Sequence, residues 1–351
     1  MTLQDAINAI EPVDETFRRR ARTRLDRLTK PVGSLGRLEE LAAQYVAMTR
    51  DEAPKTPRAA IFTLAADHGI AAEGVSAYPS AVTAQMVLNF LRGGAAVNVL
   101  AMHAHAEVRV VDIGVAHEFG HVGGLIARKI ALGTRNFLVE PAMSRAQAEA
   151  AIAVGVELAD SAVREGIGVI GTGDMGIGNT TSSSAITAVM TGLPASRVTG
   201  RGTGVDDQAL KKKIAVIERA LALHRPDPTD PVGVLAAVGG FEIAGLAGLI
   251  LGAAAHRMPV LLDGFIAGAA ALIAAQLQPC STQYMIASHL SVECGHGAAL
   301  ERLGLKPLLN LDLRLGEGTG ACLALNLLHA ALKILTTMAT FQEAGVSERS
   351  S

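Results

Sequence analysis

Short apolar runs rich in β-branched residues alternate with longer runs rich in Ala and Leu along most of the chain. The short runs are almost continuously apolar, which is typical of strands that are buried on both sides. Such strands, separated by helices, indicate a parallel sheet with helices on both faces. The six predicted strands are AAIFTLAADHG (59–69), EVRVVDIGV (107–115), NFLVEP (136–141), GIGVIGTGD (166–174), PVLLDGFI (259–266) and PLLNLDL (307–313).

Acidic residues stand at or near the ends of five of these runs: Asp67, Asp112, Asp174, Asp263 and Asp312. In open parallel sheets, ligands bind beyond the carboxyl ends of the strands. The acidic and glycine-rich strand ends fall at that edge, so we expect one crevice to collect them.

The composition suits close packing of helices on a sheet, because half of the residues are hydrophobic, 37 are Gly and only 3% are aromatic. The formal net charge is -2. We expect no nucleic-acid partner, since nucleic-acid binding needs concentrated basic charge. Cys280, Cys294 and Cys322 are widely spaced, which predicts reduced thiols rather than a disulfide framework.

The first 28 residues are charged and mixed, without the apolar segment of a signal peptide. The most apolar later stretches, residues 243–255 and 267–277, are shorter than a membrane span requires. We therefore expect a cytoplasmic protein without a membrane partner.

The two ends of the chain have helical rather than alternating patterns. Apolar spacing predicts helices over residues 5–10, 14–28, 35–48 and 322–345. We expect residues 1–58 and 323–351 to pack together as a small helical domain. Residues 59–322 would then form a large α/β catalytic domain.

The stretch GTGDMG (171–176) fits the dinucleotide-binding pattern G-x-G-x-x-G. A nicotinamide dinucleotide site also needs an acidic residue about 20 positions further on, and that region, LPASRVTGR, has none. The continuation GIGNTTSSS (176–184) is more informative, because small residues and hydroxyls at a helix start favour an anion. We favour a single phosphate here, and the alternative is an ordinary capped turn between strand and helix.

The stretch HEFGH (117–121) matches the zinc motif H-E-x-x-H literally. That motif works because a helix places both histidines on one face. Here the stretch directly follows a predicted strand and is rich in Gly, which disfavours a helix. We predict a surface loop and no metal site.

Three segments are dense in functional residue types, and one of them, SHLSVE (288–293), is polar without a solvent-facing rhythm. Asp67 and His68 end the first predicted strand, where they either act in catalysis or fix the following loop by hydrogen bonds. Glu317 is framed by glycines between the last predicted strand and a helix. Such a Glu either caps the helix or, if partly desolvated, serves as a general base.

Nine blocks of sequence, in order over almost the whole chain, are more specific than any of these short patterns. They are KPVGSLGRLEELA from Lys30, ADHGI from Ala66, GVSAYPSAVTAQMV from Gly74, PAMSRAQAEAA from Pro141, GDMGIGNTT from Gly173, VGGFEIAGLAG from Val238, PVLLDGF from Pro259, SHLS from Ser288 and RLGEGTGACLAL from Arg314. Together they resemble the nicotinate-nucleotide:dimethylbenzimidazole phosphoribosyltransferase family. The resemblance implies a Rossmann-like α/β fold with a six-stranded parallel sheet and a small helical domain, assembled as a homodimer.

The resemblance also implies a reaction. Phosphoribose passes from nicotinate mononucleotide to 5,6-dimethylbenzimidazole or a related base, which gives nicotinate and α-ribazole 5′-phosphate for the lower ligand of cobalamin. The quaternary nicotinate nitrogen leaves without a general acid, whereas the incoming base must lose a ring proton. Glu317 is implied as the acceptor of that proton, and Asp174 as a second carboxylate that assists it. No metal and no cofactor is expected, since the single phosphate is not the leaving group.

The binding residues follow from the same resemblance. The phosphate, ribose and nicotinate would be held by Gly176, Gly178, Asn179, Thr180, Thr181, Gly202, Gly204, Lys213, Ser291, Arg314 and Gly316. The benzimidazole would be held by Tyr78, Gln85, Met86, Met175 and Leu315. Lys213 can also be interpreted as one of three lysines on a solvated helix face. Asp174 stands where the family often has Glu, and Tyr78 stands at a position that varies in the family, so the preferred base stays open.

Two other functions remain as alternatives. An NAD-dependent oxidoreductase would need the acidic ribose ligand that is missing after the glycine turn. A non-catalytic nucleotide-binding regulator would keep the phosphate turn but would have no use for Glu317.

Overall fold

The computed structural model describes residues 1–347. Within this range, six parallel strands form one sheet in the order β3-β2-β1-β4-β5-β6. The predicted class, a Rossmann-like parallel sheet of six strands, is confirmed. The strands are β1 (Ala59–Ala66), β2 (Ala106–Gly114), β3 (Leu125–Ala127), β4 (Val169–Met175), β5 (Val260–Leu262) and β6 (Met285–Ala287).

Helices connect the strands and form both ends of the described chain. They are α1 (Leu3–Ala9), α2 (Glu15–Asp26), α3 (Arg37–Thr49), α4 (Ala81–Leu91), α5 (Ala96–His103), α6 (Arg145–Arg164), α7 (Asn179–Thr191), α8 (Ala195–Val198), α9 (Asp207–His224), α10 (Pro231–Val238), α11 (Phe241–Ala255), α12 (Phe265–Leu277), α13 (Cys294–Leu303), α14 (Thr319–Thr337) and α15 (Phe341–Ala344). Two short 3-10 helices, Gly69–Glu73 and Pro279–Tyr284, follow β1 and precede β6.

Two of the six strand predictions are wrong in position. The run at 136–141 is a turn, in which the Asn136 side chain accepts a hydrogen bond from the Leu138 N–H and the Asn136 carbonyl accepts one from the Val139 N–H. The run at 307–313 makes one isolated bridge, between Leu309 and His289, and does not continue as a strand. The positions in the sheet are taken instead by the three-residue strands β3 and β6.

Consecutive residues of β1 show how the sheet is covered. The Thr63 hydroxyl bonds to the turn that begins α14, whereas the Leu64 side chain lies against Gly245 of α11. Side chains alternate between the faces of a strand, so α14 and α11 lie on opposite faces. All eight residues of β1 are buried, as expected for a central parallel strand.

Both ends of the described chain contact each other. α3 packs against α2 and α14, Thr29 N–H donates to the Ala339 carbonyl, and Phe341 N–H donates to the Arg27 carbonyl. The first helix differs, because α1 packs on α6 and α11 beside the sheet. Residues 348–351 of the predicted C-terminal segment lie outside the described residues.

Helix α14 is apolar enough and long enough, by length and composition, to cross a membrane. However, 56% of its most apolar window is buried inside the protein, where it packs against α3, β4 and β5. A core helix of a folded domain passes the same test of length and composition.

Candidate active site

The order of the sheet reverses between β1 and β4, since β2 and β3 lie on one side and β5 and β6 on the other. At such a switch point the connections leave in opposite directions and open a crevice beyond the carboxyl ends of the strands. β1 leads here into Asp67 and His68, and β4 leads through Asp174 into the glycine turn at 176–178.

The glycine turn begins helix α7 without a side-chain cap. Gly178 is the N-cap, with φ +98, and has no side chain to cap the helix; among residues 1–347, the Asn179 and Thr181 N–H groups donate only to the Gly176 and Gly178 carbonyls of the turn itself. A Cβ at position 176 would overlap the Ala66 carbonyl oxygen, so only Gly lets the turn pass this close to β1. The Ile177 N–H donates to the Thr83 hydroxyl at 3.2 Å, which ties the turn to α4. The uncapped N-terminus suits an anion.

The hydroxyl run after the turn divides into two parts. Thr181 and the three serines that follow it are fully buried, and Ser184 donates to the Thr180 carbonyl. Thr180 is half-buried and its Oγ1 accepts a hydrogen bond from Lys213. Asn179 donates to Asp174 Oδ2 at 2.9 Å. Thr180 is therefore the one residue of the run 180–184 that is not fully buried, and its hydroxyl lies beside the Lys213 ammonium group.

Lys213 does not lie on a solvated helix face. Its side chain is fully buried, whereas Lys211 and Lys212 on the same helix are exposed. Its Nζ donates to Thr180 Oγ1 at 2.7 Å, and burial lowers the pKa of Lys213 to about 8. The solvated-face alternative is thus wrong, and the ammonium group lies beside the start of α7.

The loop that contains Gly202 and Gly204 is held by charged side chains from separate elements. Glu293 Oε1 accepts a hydrogen bond from the Gly202 N–H at 2.8 Å, and the exposed Arg314 donates to the Gly202 carbonyl at 3.2 Å. Ser291 Oγ accepts from the Glu293 N–H. Glu293 was not identified from the sequence, where SHLSVE gave no sign that its carboxylate reaches a glycine 91 positions away.

Glu317 lies in a turn of three consecutive residues with left-handed backbone. The φ angles of Gly316, Glu317 and Gly318 are +80, +65 and +99. Glu317 is buried, and its carbonyl accepts from the Thr63 hydroxyl at 3.0 Å. Burial, followed by the charge of Asp263, raises the pKa of Glu317 to about 7. A carboxylate with this pKa is a competent general base near neutral pH.

Asp174 lies next to the same turn, because a Cβ at Gly316 would stand 3.1 Å from Asp174 Oδ1. Burial raises the pKa of Asp174 well above its usual range, and the charges of Asp263 and Glu242 add to this effect. These influences favour the protonated form of Asp174. The structure therefore brings together both predicted carboxylates, which differ in environment.

Asp263, at the end of β5, is a second functional candidate that sequence reasoning left among the strand-end acids. Its carboxylate accepts hydrogen bonds from the Gly318 N–H at 2.9 Å and the Gly320 N–H at 2.7 Å. Burial raises the pKa of Asp263, and the nearby His289 and these N–H groups oppose that rise. The first turn of α14 is thus capped by Asp263, unlike that of α7.

His68 belongs to a buried network beneath the glycine turn. Its Nε2 lies 2.7 Å from Glu242 Oε1, and its Nδ1 lies 3.0 Å from Ser182 Oγ. The side chains of His68 and Glu242 have no solvent exposure. The preceding Asp67 accepts a hydrogen bond from the Ala116 N–H at 2.8 Å. These contacts match the loop-fixing interpretation of Asp67 and His68.

The predicted base-binding residues lie on four segments of the chain. Met175 is half-buried directly after Asp174, and Leu315, 55% exposed, precedes Gly316. On α4, Gln85 is exposed and Met86 is half-buried. Tyr78 is 56% exposed, in a loop whose Ala77 N–H donates to the Thr203 hydroxyl beside Gly202.

The remaining sequence expectations concern metals and thiols. Residues 117–121 form a loop, as predicted, with His117 and His121 exposed. Among residues 1–347, no group of three or more His, Cys, Asp or Glu side chains is arranged to hold a metal ion. Cys280, Cys294 and Cys322 are free cysteines.

Comparisons with known proteins assign this arrangement to a family. A family model described as phosphoribosyltransferase matches residues 10–346. The nicotinate-nucleotide--dimethylbenzimidazole phosphoribosyltransferases of Geobacter sulfurreducens and Chloroflexus aggregans are each 59% identical to the chain, over 99% of it and 98% of their own length. The crystal structure of CobT from Thermus thermophilus superposes with a TM-score of 0.91 at 49% identity, covering 95% of this chain and 100% of that one. The chain belongs to the nicotinate-nucleotide--dimethylbenzimidazole phosphoribosyltransferase family.

Proposed function

We propose that this protein transfers 5-phosphoribose from nicotinate mononucleotide to 5,6-dimethylbenzimidazole or a related base, in assembly of the lower ligand of cobalamin. The products are α-ribazole 5′-phosphate and nicotinate. The observation that carries the proposal is a buried carboxylate, Glu317, whose pKa of about 7 suits proton removal at the edge of the sheet where α7 begins uncapped. A nucleotide-binding regulator would not need such a base.

Glu317 acts as the general base in this proposal. A lone pair on one ring nitrogen of the benzimidazole attacks the anomeric carbon of the ribose, while the bond to the nicotinate nitrogen breaks and its electrons stay on that nitrogen. The proton on the other ring nitrogen of the benzimidazole passes to Glu317. Attack from the face opposite the leaving group inverts the β-linkage to α.

Asp174 assists by remaining uncharged. Two adjacent ionised carboxylates repel each other, so a protonated Asp174 lets Glu317 ionise more readily than a second anion would. The bond from Asn179 holds the shorter Asp174 side chain beside Gly316.

The nucleotide phosphate would bind where α7 begins. Gly176, Gly178, Asn179, Thr180 and Thr181 supply the turn and first helical residues, and Lys213 supplies the adjacent positive charge. Such a phosphate contact orients the anomeric carbon toward the incoming base.

The rest of the nucleotide would lie toward Glu317. Gly202 and Gly204 would face the ribose and phosphate, and Ser291, Arg314 and Gly316 would lie near the ribose and nicotinate. Arg314 already bonds to Gly202, which supports a site shared by these two segments.

The flat base would lie against the apolar side chains around the acids. Met175 and Leu315 flank the two carboxylates in sequence, Met86 and Gln85 lie on α4, and Tyr78 is on the neighbouring loop. Methionine adapts its shape to the edges of different rings, which supports acceptance of related bases.

The proposal also covers the cellular location, the oligomeric state and the domain organisation of the protein. The protein would act in the cytoplasm, as a homodimer, with residues 1–58 and 323–351 as a small helical domain beside the catalytic domain at 59–322. Sedimentation equilibrium tests the dimer, which requires twice the chain mass of 36.2 kDa.

An assay of nicotinate release tests the function. Nicotinate mononucleotide is incubated with the protein, with and without 5,6-dimethylbenzimidazole, and the new nucleotide is identified by mass and anomeric configuration. We expect base-dependent release. Glu317→Gln should lower kcat by about 10²- to 10⁴-fold, the range for loss of a general base. Glu301→Gln, which removes an exposed carboxylate from α13, is the control. Unchanged turnover in Glu317→Gln would remove this residue from the mechanism.

A further inference from the structure

We propose that Asp263 is a positioning residue for the reaction: its carboxylate holds the turn at 316–320 so that the base Glu317 stays in place and keeps its strength. This inference rests on the proposed role of Glu317. Asp263 need not touch either substrate, since its contacts are with the backbone of the turn.

The turn needs an external anchor because its backbone is unusual. Glu317 has φ +65, a region that residues with a Cβ adopt rarely, and such a residue persists only where surrounding contacts impose it. Gly316 and Gly318 on either side are also left-handed. The direction of the Glu317 side chain therefore depends on what holds the turn.

Asp263 provides two of the contacts that hold it. The two carboxylate oxygens accept from the Gly318 and Gly320 N–H groups at 2.9 Å and 2.7 Å, one on each side of Thr319. Asp263 is itself fixed, because its own N–H donates to the Thr172 hydroxyl of β4 at 3.0 Å. The anchor thus runs from the centre of the sheet to the turn.

The Asp263 side chain is also tightly packed against the turn. A Cβ at Gly320 would stand 2.8 Å from Asp263 Oδ1 and would overlap the His289 ring. On the other side, the Thr63 hydroxyl holds the Glu317 carbonyl at 3.0 Å. The turn is therefore fixed from β1 and from β5 at once.

The charge of Asp263 also acts on the base. The titratable and charged groups around the turn are Asp263 after β5, Asp174 of β4, His289 after β6, Cys322 of α14 and Arg314, and the charge of Glu242 acts on Asp174. The free N–H groups of a helix start would lower the pKa of a neighbouring carboxyl. Asp263 accepts hydrogen bonds from those N–H groups, so they are not free to stabilise the Glu317 carboxylate. The negative charge of Asp263 is also the second cause, after burial, of the raised pKa of Glu317.

Two variants separate position from charge. Asp263→Asn removes the charge and one of the two acceptors, while Asp263→Glu keeps the charge but displaces the oxygens by one methylene. Asp26→Asn, at an exposed aspartate that ends α2, is the control. Both kcat and kcat/KM are measured from pH 5 to 9 with nicotinate mononucleotide and 5,6-dimethylbenzimidazole.

We expect kcat/KM of the unmodified enzyme to fall on the acid side of about pH 7, which is the acid limb of its pH profile. In Asp263→Asn the acid limb of the pH profile should move to lower pH by about one unit. On the plateau, kcat should fall by about 10- to 100-fold, because the Glu317 carboxylate moves out of position. Asp263→Glu should lose kcat while its acid limb stays near pH 7. The control should match the unmodified enzyme in both respects.

The outcomes distinguish this inference from the proposed function. No base-dependent release by the unmodified enzyme, or no acid limb, would count against the role of Glu317 itself. An acid limb that stays in place in a folded Asp263→Asn variant with full kcat would overturn the role of Asp263. If Asp263→Asn does not fold, amide hydrogen exchange of the unmodified enzyme decides. The Gly318 and Gly320 amides should then exchange slowly, and rapid exchange would overturn the proposal.

Discussion

At the level of single residues, the strength of Glu317 as a base is coupled to the stability of the fold. Its pKa is about 7 in the folded protein and about 4.5 when exposed. Below pH 4.5 both states bind the proton, so Glu317 has no effect. As the pH rises toward 7, the unfolded state loses its proton first, and the folded state becomes relatively less stable. Above pH 7 the full loss is present.

Glu317→Gln removes this loss of stability. We expect the variant to have a higher free energy of unfolding than the unmodified protein at pH 8, by about 1 to 3 kcal/mol. The difference should shrink toward zero at pH 4, where both states bind the proton. Urea unfolding at both pH values measures it, with Glu301→Gln as the control for removal of an exposed carboxylate. An equal difference at both pH values would contradict the raised pKa.

The sequence reveals Glu317 more readily than its partners. Glycines on both sides of an acid, before a helix, indicate a special backbone and room for a ligand. Asp263 is one of five strand-end acids, and nothing local shows that its carboxylate caps a helix that begins 56 positions later in the numbering. Glu293 reaches Gly202 in the same way. Contacts between distant segments depend on how the strands are ordered, which residue patterns do not specify.

At the level of elements, helix α9 brings one lysine to the start of α7. Lys213→Met should raise the KM for nicotinate mononucleotide by about 10- to 100-fold, since a charge-assisted contact to phosphate contributes about 1.5 to 3 kcal/mol. The effect on kcat should be smaller. Binding should also weaken above pH 8 in the unmodified protein, because Lys213 loses its proton near that pH.

Lys211→Met provides the control for this experiment, since Lys211 is exposed on the same helix. Its KM should equal that of the unmodified protein. Equal KM values for both variants would mean that Lys213 does not contact the phosphate.

Element prediction succeeded where a run was both long and apolar. β1, β2 and β4 have seven to nine residues and were placed correctly, whereas β3 and β6 have three residues each and were missed. The run at 136–141 is apolar because Phe137 fills the core from a turn, and the run at 307–313 cannot continue as a strand because Asp312 has a left-handed backbone. β5 also has three residues but was predicted, because it lies within the apolar run PVLL before Asp263, whereas β3 and β6 lie in runs interrupted by glycine or polar residues.

At the level of the whole molecule, the alternation of strands and helices predicts a parallel sheet but leaves its order open. The order decides which strand ends share the crevice, and here it places β4 and β5 side by side. Asp174 and Asp263 consequently meet at the turn that begins α14. The family resemblance supplied the candidate residues, and the sheet order explains why these acids act on one another.

The helical layer over β1, β2 and β4 depends on close contact between α6 and α11. A Cβ at Gly248 would overlap the Ile152 carbonyl oxygen, and one at Gly155 would overlap the Gly245 carbonyl oxygen. The two backbones therefore touch, and α1 packs on both helices. A single added methyl group would force apart α6 and α11, the second of which packs on β1, β2 and β4.

Gly248→Ala should accordingly lower the free energy of unfolding by about 2 to 3 kcal/mol, as overpacking of a tight core does. Gly297→Ala is the control, because Gly297 lies in α13 with no neighbouring atom within 4 Å of the added methyl group. That variant should be unchanged or more stable by up to about 1 kcal/mol, since Ala restricts the unfolded chain more than Gly does. Urea unfolding at one pH compares them. If Gly248→Ala proved as stable as Gly297→Ala, α6 and α11 could not be in backbone contact, and the layer that supports the active-site strands would be looser than described.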